Sequence, residues 1–167
     1  MLSALILSRN GPESLAVTLS ALVAGVAQGV VADAVVIVEK HDPDSASIAD
    51  ATGAEYVVAH DGADPWSTGA RVARREWLIC LEAGDLPLEG WIDAVDRFAF
   101  VASMEGFPVG RLARRSRGLR EWFANALARW SRGTRAGDVV HVSRLDGGRS
   151  RVAPIPAAIA RSSLATA

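Results

Sequence analysis

Apolar residues along this chain fall into short unbroken runs, separated by stretches in which they recur at helical spacing. Ala4–Leu7, Ala34–Val38 and Trp77–Leu81 are such runs, and Glu55–Ala59 is a more mixed one. Runs of this length bounded by polar turns predict strands, and their nearly continuous apolarity predicts burial on both faces. Between them, Leu15, Leu19, Leu22, Val23 and Val26 recur as one stripe of a first helix, with Asn10 before Gly11-Pro12 as its start. Asp44 or Ser45 is placed to cap a short second helix through Ile48 to Thr52, ended by Gly53. The loop His60–Pro65 leads to a third helix over Trp66–Arg75, and Pro87–Val101 forms a fourth, with Trp91, Ile92, Val95 and Phe98 facing the sheet. Strand–helix alternation of this kind predicts an α/β fold with a mainly parallel, doubly wound sheet.

After Ala102 the character changes. Phe107–Leu112 has the pattern of another strand, and Arg114, Arg115 and Arg117 follow in a loop. Leu119–Arg132 is amphipathic, with Leu119, Trp122, Phe123, Ala126, Leu127 and Trp130 on one helical face. That face either packs on the sheet or meets a membrane interface, its arginines lying at the margins. Asp138–Ser143 alternates like a half-buried strand, Leu145–Gly148 is a turn, and the chain returns through Val152–Ile159. With no repeat, low-complexity tract or linker, residues 1–167 are expected to form a single domain with halves 1–105 and 106–167.

Composition sharpens this division. The chain is 50% hydrophobic and 22% charged, which is globular. The net charge of −1 hides 6 basic and 16 acidic residues in 1–105 against 12 basic and 3 acidic in 106–167, or −10 against +9. The halves either attract each other within one fold or leave a basic surface for a phosphorylated ligand or an anionic membrane. No apolar run approaches the roughly 18 residues of a membrane span, and Leu2–Leu7 is too short for a signal peptide. The single cysteine, Cys80, cannot form an intrachain disulfide and sits in an apolar run. A cytoplasmic setting, with peripheral contact to the inner membrane through Leu119–Arg132 as an extension, is the expectation. Nucleic acid is not an expected partner.

The stretch Trp77–Trp91 concentrates the candidate chemistry. Its apolar run ends in Glu82 and Asp85, separated by Ala83-Gly84. Open α/β sheets bind ligands outside the carboxyl ends of their strands, where Asn10, Glu39, Asp42, Asp44, Glu82 and Asp85 are all expected. The plainer alternative is that Asp85 caps the following helix. The first turn, Ser8-Arg9-Asn10-Gly11, is neither a dinucleotide fingerprint nor a P-loop. One cysteine excludes a zinc cluster, and three scattered histidines form no triad. Paired carboxylates suit a hard ion such as Mg²⁺, whose shell is completed by water and substrate phosphates.

These features together resemble the nucleotide-binding half of a family-2 glycosyltransferase of GT-A fold, in its small bacterial form. The carriers are the first strand leading to Ser8-Arg9-Asn10, Leu19-Ser20-Ala21-Leu22, Val35–Glu39 followed by Asp44-Ser45, Gly69-Ala70-Arg71 before Arg74–Trp77, and Leu81–Asp85 followed by Pro87 and Gly90-Trp91. A fainter likeness to the acceptor-side segment runs from Gly137-Asp138 to Gly147-Gly148. The resemblance implies a Rossmann-like sheet flanked by helices, with a short basic C-terminal acceptor-side lobe. It implies a nucleotide sugar as donor and an acceptor hydroxyl. It places Asn10, Glu39, Glu82 and Asp85 at the nucleotide sugar, and Glu82 with Asp85 on Mg²⁺ or Mn²⁺.

The wording departs from the family at informative places. Lys40 stands where a second acid follows Glu39, and Glu82-Ala83-Gly84 replaces Asp-x-Asp unless Asp85 substitutes. No acid follows Asp146, where the family supplies its base, which leaves Asp138 and Asp146 as candidates. Two functions are therefore carried forward: transfer of a sugar from a nucleotide-diphosphate sugar, and a catalytically inactive GT-A-like binding or assembly protein. A nucleotidyltransferase would need a glycine-rich basic first loop, which Ser8–Ser14 does not provide.

Overall fold

The computed structural model describes residues 1–60, 62–105, 109–115, 133–145 and 152–162. The amphipathic stretch Leu119–Arg132 and the candidate base Asp146 lie outside the described residues. In chain order the elements are β1 (Leu2–Leu7), α1 (Pro12–Ala27), β2 (Val31–Val38), α2 (Pro43–Thr52), β3 (Glu55–Val58), α3 (Pro65–Ala70), β4 (Trp77–Glu82), β5 (Asp85–Pro87), α4 (Trp91–Glu105), β6 (Val109–Arg114), β7 (Asp138–His141) and β8 (Val152–Arg161). Among the described residues the strands form one eight-stranded sheet in the order β3-β2-β1-β4-β7-β6-β8-β5. Strands β1 to β4 pair in parallel. β7 runs antiparallel to both β4 and β6, and β8 runs parallel to β6. Consequently β1, β2, β3, β4, β6 and β8 all point the same way and end at one edge of the sheet.

The central strands separate two apolar layers with period two, as the pleat requires. Ala4, Ile6, Val36, Ile79 and Leu81 face a layer covered by Leu15 and Leu22 of α1, Ala49 of α2, and Trp91 and Val95 of α4. Leu5, Leu7, Val35, Ile37, Leu78 and Cys80 face the other, where Trp66 of α3 packs. Full burial of Cys80 pushes its thiol well above the ordinary range, which suits an inert core residue. Among the described residues no helix is long and apolar enough to cross a membrane.

The structure differs from the sequence reading in ways that have physical causes. The buried face of α1 is Ser14, Leu15, Thr18, Leu22 and Gly25, whereas Val23 and Val26 of the expected stripe are 63% and 54% exposed. Small residues are buried there because a turn and the Trp91 indole press against the helix. The α1 N-cap is Gly11, at φ 84° with no side-chain cap, not Asn10. The α2 cap is Asp42, whose carboxylate accepts from the Ser45 N–H, rather than Asp44 or Ser45. The third helix stops at Ala70, short of Arg75. The fourth begins at Trp91 instead of Pro87, since Asp85–Pro87 is the sheet's last strand, antiparallel to β8. Proline is tolerated on such an edge because its missing N–H faces no partner strand. Strands β6 and β8 each run two residues past their expected ends, to Arg114 and Arg161.

A Cβ added at Gly25 would lie 2.7 Å from Trp91 Cη2, 2.9 Å from Cζ2 and 3.0 Å from Val31 Cγ2. Overpacking costs about 1–3 kcal/mol, against about 1 kcal/mol gained from alanine's helix propensity. Gly25→Ala is expected to lower the urea midpoint by the equivalent of about 1 kcal/mol with an unchanged m-value. An unchanged or raised midpoint would show that Trp91 has room to move.

Candidate functional site

Strand order reverses direction at β1, with β2 on one side and β4 on the other. This is a switch point, where the connections diverge and leave a crevice beyond the strand ends. The residues leaving the sheet there are charged: Arg9 after β1, Glu39 after β2, Glu82 at the end of β4, Arg114 at the end of β6 and Arg161 at the end of β8. Asp85 opens β5 at the same edge, paired with Arg161 in the sheet register.

The turn between β4 and β5 is held by its main chain. Ala83 N–H donates to Leu7 O at 2.9 Å, extending the β1–β4 ladder by one bond. Gly84 takes φ 95°, a left-handed conformation open to glycine. Its N–H is shared between Ser14 O at 2.9 Å and Thr18 Oγ1 at 2.8 Å, and its carbonyl accepts from Ser162 N–H at 2.8 Å. The buried Thr18 hydroxyl lies 3.0 Å from Asp85 O. The Asn10 amide donates to Ala83 O at 3.1 Å. Asn10, expected at the nucleotide sugar, thus spends an N–H on fixing this turn.

Charge is arranged around Asp85, whose side chain is 0% exposed. Its Oδ2 accepts the Glu82 N–H at 2.9 Å. Arg114 grips it through both ends of the fork, Nη1 to Oδ1 at 3.0 Å and Nη2 to Oδ2 at 3.2 Å. Arg161 Nη1 reaches Asp85 Oδ1 at 3.0 Å and Glu82 Oε2 at 2.9 Å. Both oxygens of Asp85 are therefore engaged. Glu82 is 28% exposed, and its Oε1 has Arg9 Nη1 only at 3.8 Å. Arg9 donates its main hydrogen bond to Glu39. That bond holds the Glu39 carboxyl below the usual range and raises Arg9 in turn. The pairing is present at neutral pH and is lost as pH falls through the depressed Glu39 value.

The remaining candidates are placed as follows. Asp42 caps α2, and its main-chain N–H donates to Tyr56 Oη at 2.9 Å, tying the loop after Glu39 to β3. Asp44 lies in the first turn of α2. Asp138, one of the two expected bases, is 1% exposed and bound by Arg111, Nε to Oδ1 at 2.6 Å and Nη2 to Oδ2 at 2.9 Å. Its Oδ2 also accepts Arg135 N–H at 3.0 Å. Both of its oxygens are thus engaged by donors from Arg111 and Arg135. Among the described residues no three carboxylate, imidazole or thiol groups converge as a metal cluster.

Arg9, Arg114 and Arg161 were not among the expected site residues. Their signal was available: Arg9 and Arg161 stand within two residues of an apolar run's end, at Leu7 and Ile159. Arg114 was expected in a loop, and strand length alone decides that it is not. The acidic and basic halves do attract each other, since Arg114 and Arg161 of the second half bind Asp85 and Glu82 of the first.

Solved structures share this architecture. S. aureus TarS in complex with UDP-GlcNAc superposes with a TM-score of 0.60 at 10% identity, over 98% of this chain and 59% of that one. Glucosyl-3-phosphoglycerate synthase from Mycobacterium tuberculosis, with Mn²⁺, UDP and glucosyl-3-phosphoglycerate, gives 0.58 at 12% identity, over 85% and 57%. The mannosyltransferase PcManGT from Pyrobaculum calidifontis, with GDP-Man and Mn²⁺, gives 0.60 at 11% identity, over 96% and 56%. The fold is GT-A. By sequence alone the chain matches no family model and no curated protein. It spans less than two thirds of the length of these glycosyltransferase structures.

Removing one partner of a buried ion pair costs about 3–5 kcal/mol, less where the stranded partner can hydrate. Arg114 and Arg161 are 38% and 29% exposed, so Asp85→Asn is expected to lose about 2 kcal/mol or more in urea unfolding. Glu82→Gln, at a partly exposed carboxylate, should lose under about 1 kcal/mol. Equal losses would contradict the assignment of Asp85 as the anchor.

Proposed function

We propose that the chain is a glycosyltransferase that moves a sugar from a nucleotide-diphosphate sugar to an acceptor hydroxyl, within a single GT-A domain. The observation carrying this reading is the convergence of Arg9, Glu39 and Glu82, all partly exposed, at the switch point of a GT-A sheet. Glu39 would receive the nucleoside, as the acid after β2, and Glu82 and Arg161 would face the diphosphate. The acceptor oxygen attacks the anomeric carbon and its proton passes to solvent water, while the bond to the diphosphate breaks and its electron pair leaves on the phosphate oxygen. Stabilising that leaving charge is the main task of the protein.

Mg²⁺ or Mn²⁺ is the cofactor this reading carries, since two of the structural neighbours were crystallised with Mn²⁺. The donor set fits one side of such an ion. Glu82 offers Oε1, beyond hydrogen-bond distance of Arg9, and a hard dication commonly takes one or two carboxylates with water and phosphate. Asp85 would support Glu82 from beneath, through the hydrogen bond to its N–H, because its own oxygens are held by guanidinium groups. A bound ion there would neutralise diphosphate charge.

Titration calorimetry with UDP-GlcNAc, UDP-glucose and GDP-mannose in Mn²⁺ is expected to show binding of at least one. Glu39→Gln should weaken it by about tenfold, the scale of one charged hydrogen bond. No heat with any of the three would discard the reading. Binding with no release of UDP or GDP over long incubation would favour the inactive binding protein instead.

A further inference from the structure

The position between the two carboxylates of the β4–β5 turn is already held by a cation. Arg161 Nη1 lies 2.9 Å from Glu82 Oε2 and 3.0 Å from Asp85 Oδ1. It is held there because Asp85 is buried, gripped bidentately by Arg114, and paired with Arg161 in the β5–β8 register. Only one nitrogen of Arg161 is used: among the described residues, Nε and Nη2 have no partner, and the side chain is 29% exposed. Arg9 stands on the other side of Glu82, 46% exposed, with Glu39 as its principal partner. A guanidinium carries five N–H donors in a planar fork that matches phosphate oxygens.

Charge and geometry decide what would happen when a diphosphate arrives. The exposed Arg9–Glu39 pair is well hydrated and contributes little. A phosphate carries more charge than a carboxylate and accepts two parallel N–H bonds from one guanidinium fork. Exchanging a surface carboxylate for a phosphate is therefore favourable at Arg9. At Arg161 no exchange is needed, because its remaining donors are unpartnered among the described residues while Nη1 stays on Asp85.

The geometry points to Arg161 and Arg9 as a guanidinium receptor for the diphosphate of a nucleoside diphosphate, able to bind it without a divalent metal. Asp85 and Arg114 are the positioning residues of that receptor. The inference rests on the functional reading above for the identity of the ligand, and it separates from that reading by its metal dependence. A metal at Glu82 would add to the affinity instead of creating it. Glu82 itself competes with phosphate for both arginines.

Calorimetry with UDP and GDP, run in EDTA and in Mn²⁺ on the full chain, tests this. The expected result is a Kd in EDTA within about tenfold of that in Mn²⁺, since less than about 1.4 kcal/mol is assigned to the ion. Arg161→Gln is expected to weaken binding in EDTA by about tenfold or more, with Arg161→Lys recovering part of it. Glu82→Gln should tighten binding in EDTA, whereas a purely metal-based site predicts no binding there to tighten. Thermal melts accompany each variant. If Arg161→Gln does not fold, Arg9→Gln, which leaves the Asp85 pairing intact, is expected to weaken binding in EDTA by several-fold on the same grounds. Binding that disappears in EDTA, or that is unchanged in EDTA by the folded arginine variants, overturns the inference and leaves the glycosyltransferase reading standing. No binding of UDP or GDP in either buffer overturns both.

Discussion

A carboxylate with no solvent exposure organises the carboxyl edge of this sheet. Asp85 is tolerable there because each of its oxygens is matched: two nitrogens of Arg114, one of Arg161, and the main-chain N–H of Glu82. A buried charge without such partners would cost several kcal/mol. The two arginines arrive from far along the chain, at the ends of β6 and β8, so the interaction joins the acidic first half to the basic second half. It also fixes β5 against β8, and with β5 the sheet's final strand. The β4–β5 turn is thereby determined from both sides, by α1 through Thr18 and Ser14 and by Ser162, the residue after β8.

Six strands ending at one edge explain why charged residues from distant segments meet. The central strands β1 and β4 and the second half of β2 are buried on both faces, so the first position free of the core is the first that accepts charge without a desolvation penalty. Arg9, Glu39, Glu82, Arg114 and Arg161 occupy such positions or the one beside them. Among the described residues, three arginines (Arg9, Arg114, Arg161) and three acids (Glu39, Glu82, Asp85) gather at this edge. It differs in kind from the all-acid pair that a metal site alone would require, because it sets guanidinium donors beside a partly exposed carboxylate, Glu82.

The strands and the alternation of β1 to β4 with their helices were legible because unbroken apolar runs have one economical explanation. Element ends were less so. The start of α4 was misplaced because Pro87 suits a helix's first turn as well as an edge strand, and only the partner strand β8 distinguishes the two. The buried face of α1 was misjudged because periodicity counts large apolar residues. The contacts there are made by Ser14, Thr18 and Gly25, which are buried for their smallness and hydrogen bonds.

The stretch Trp77–Trp91 shows where sequence and tertiary structure divide. Local order in the chain determined a buried strand, a tight glycine turn and two carboxylates beyond it, since those depend on neighbours a few residues apart. Whether both carboxylates are open to ligand depended on strands 29 and 76 residues further along. Only the assembled sheet decided that Asp85 would be sealed beneath arginines while Glu82 stayed partly exposed. The reason is physical: burial and ion pairing are properties of the space around a residue, and that space is filled by strands whose arrival the local sequence does not encode.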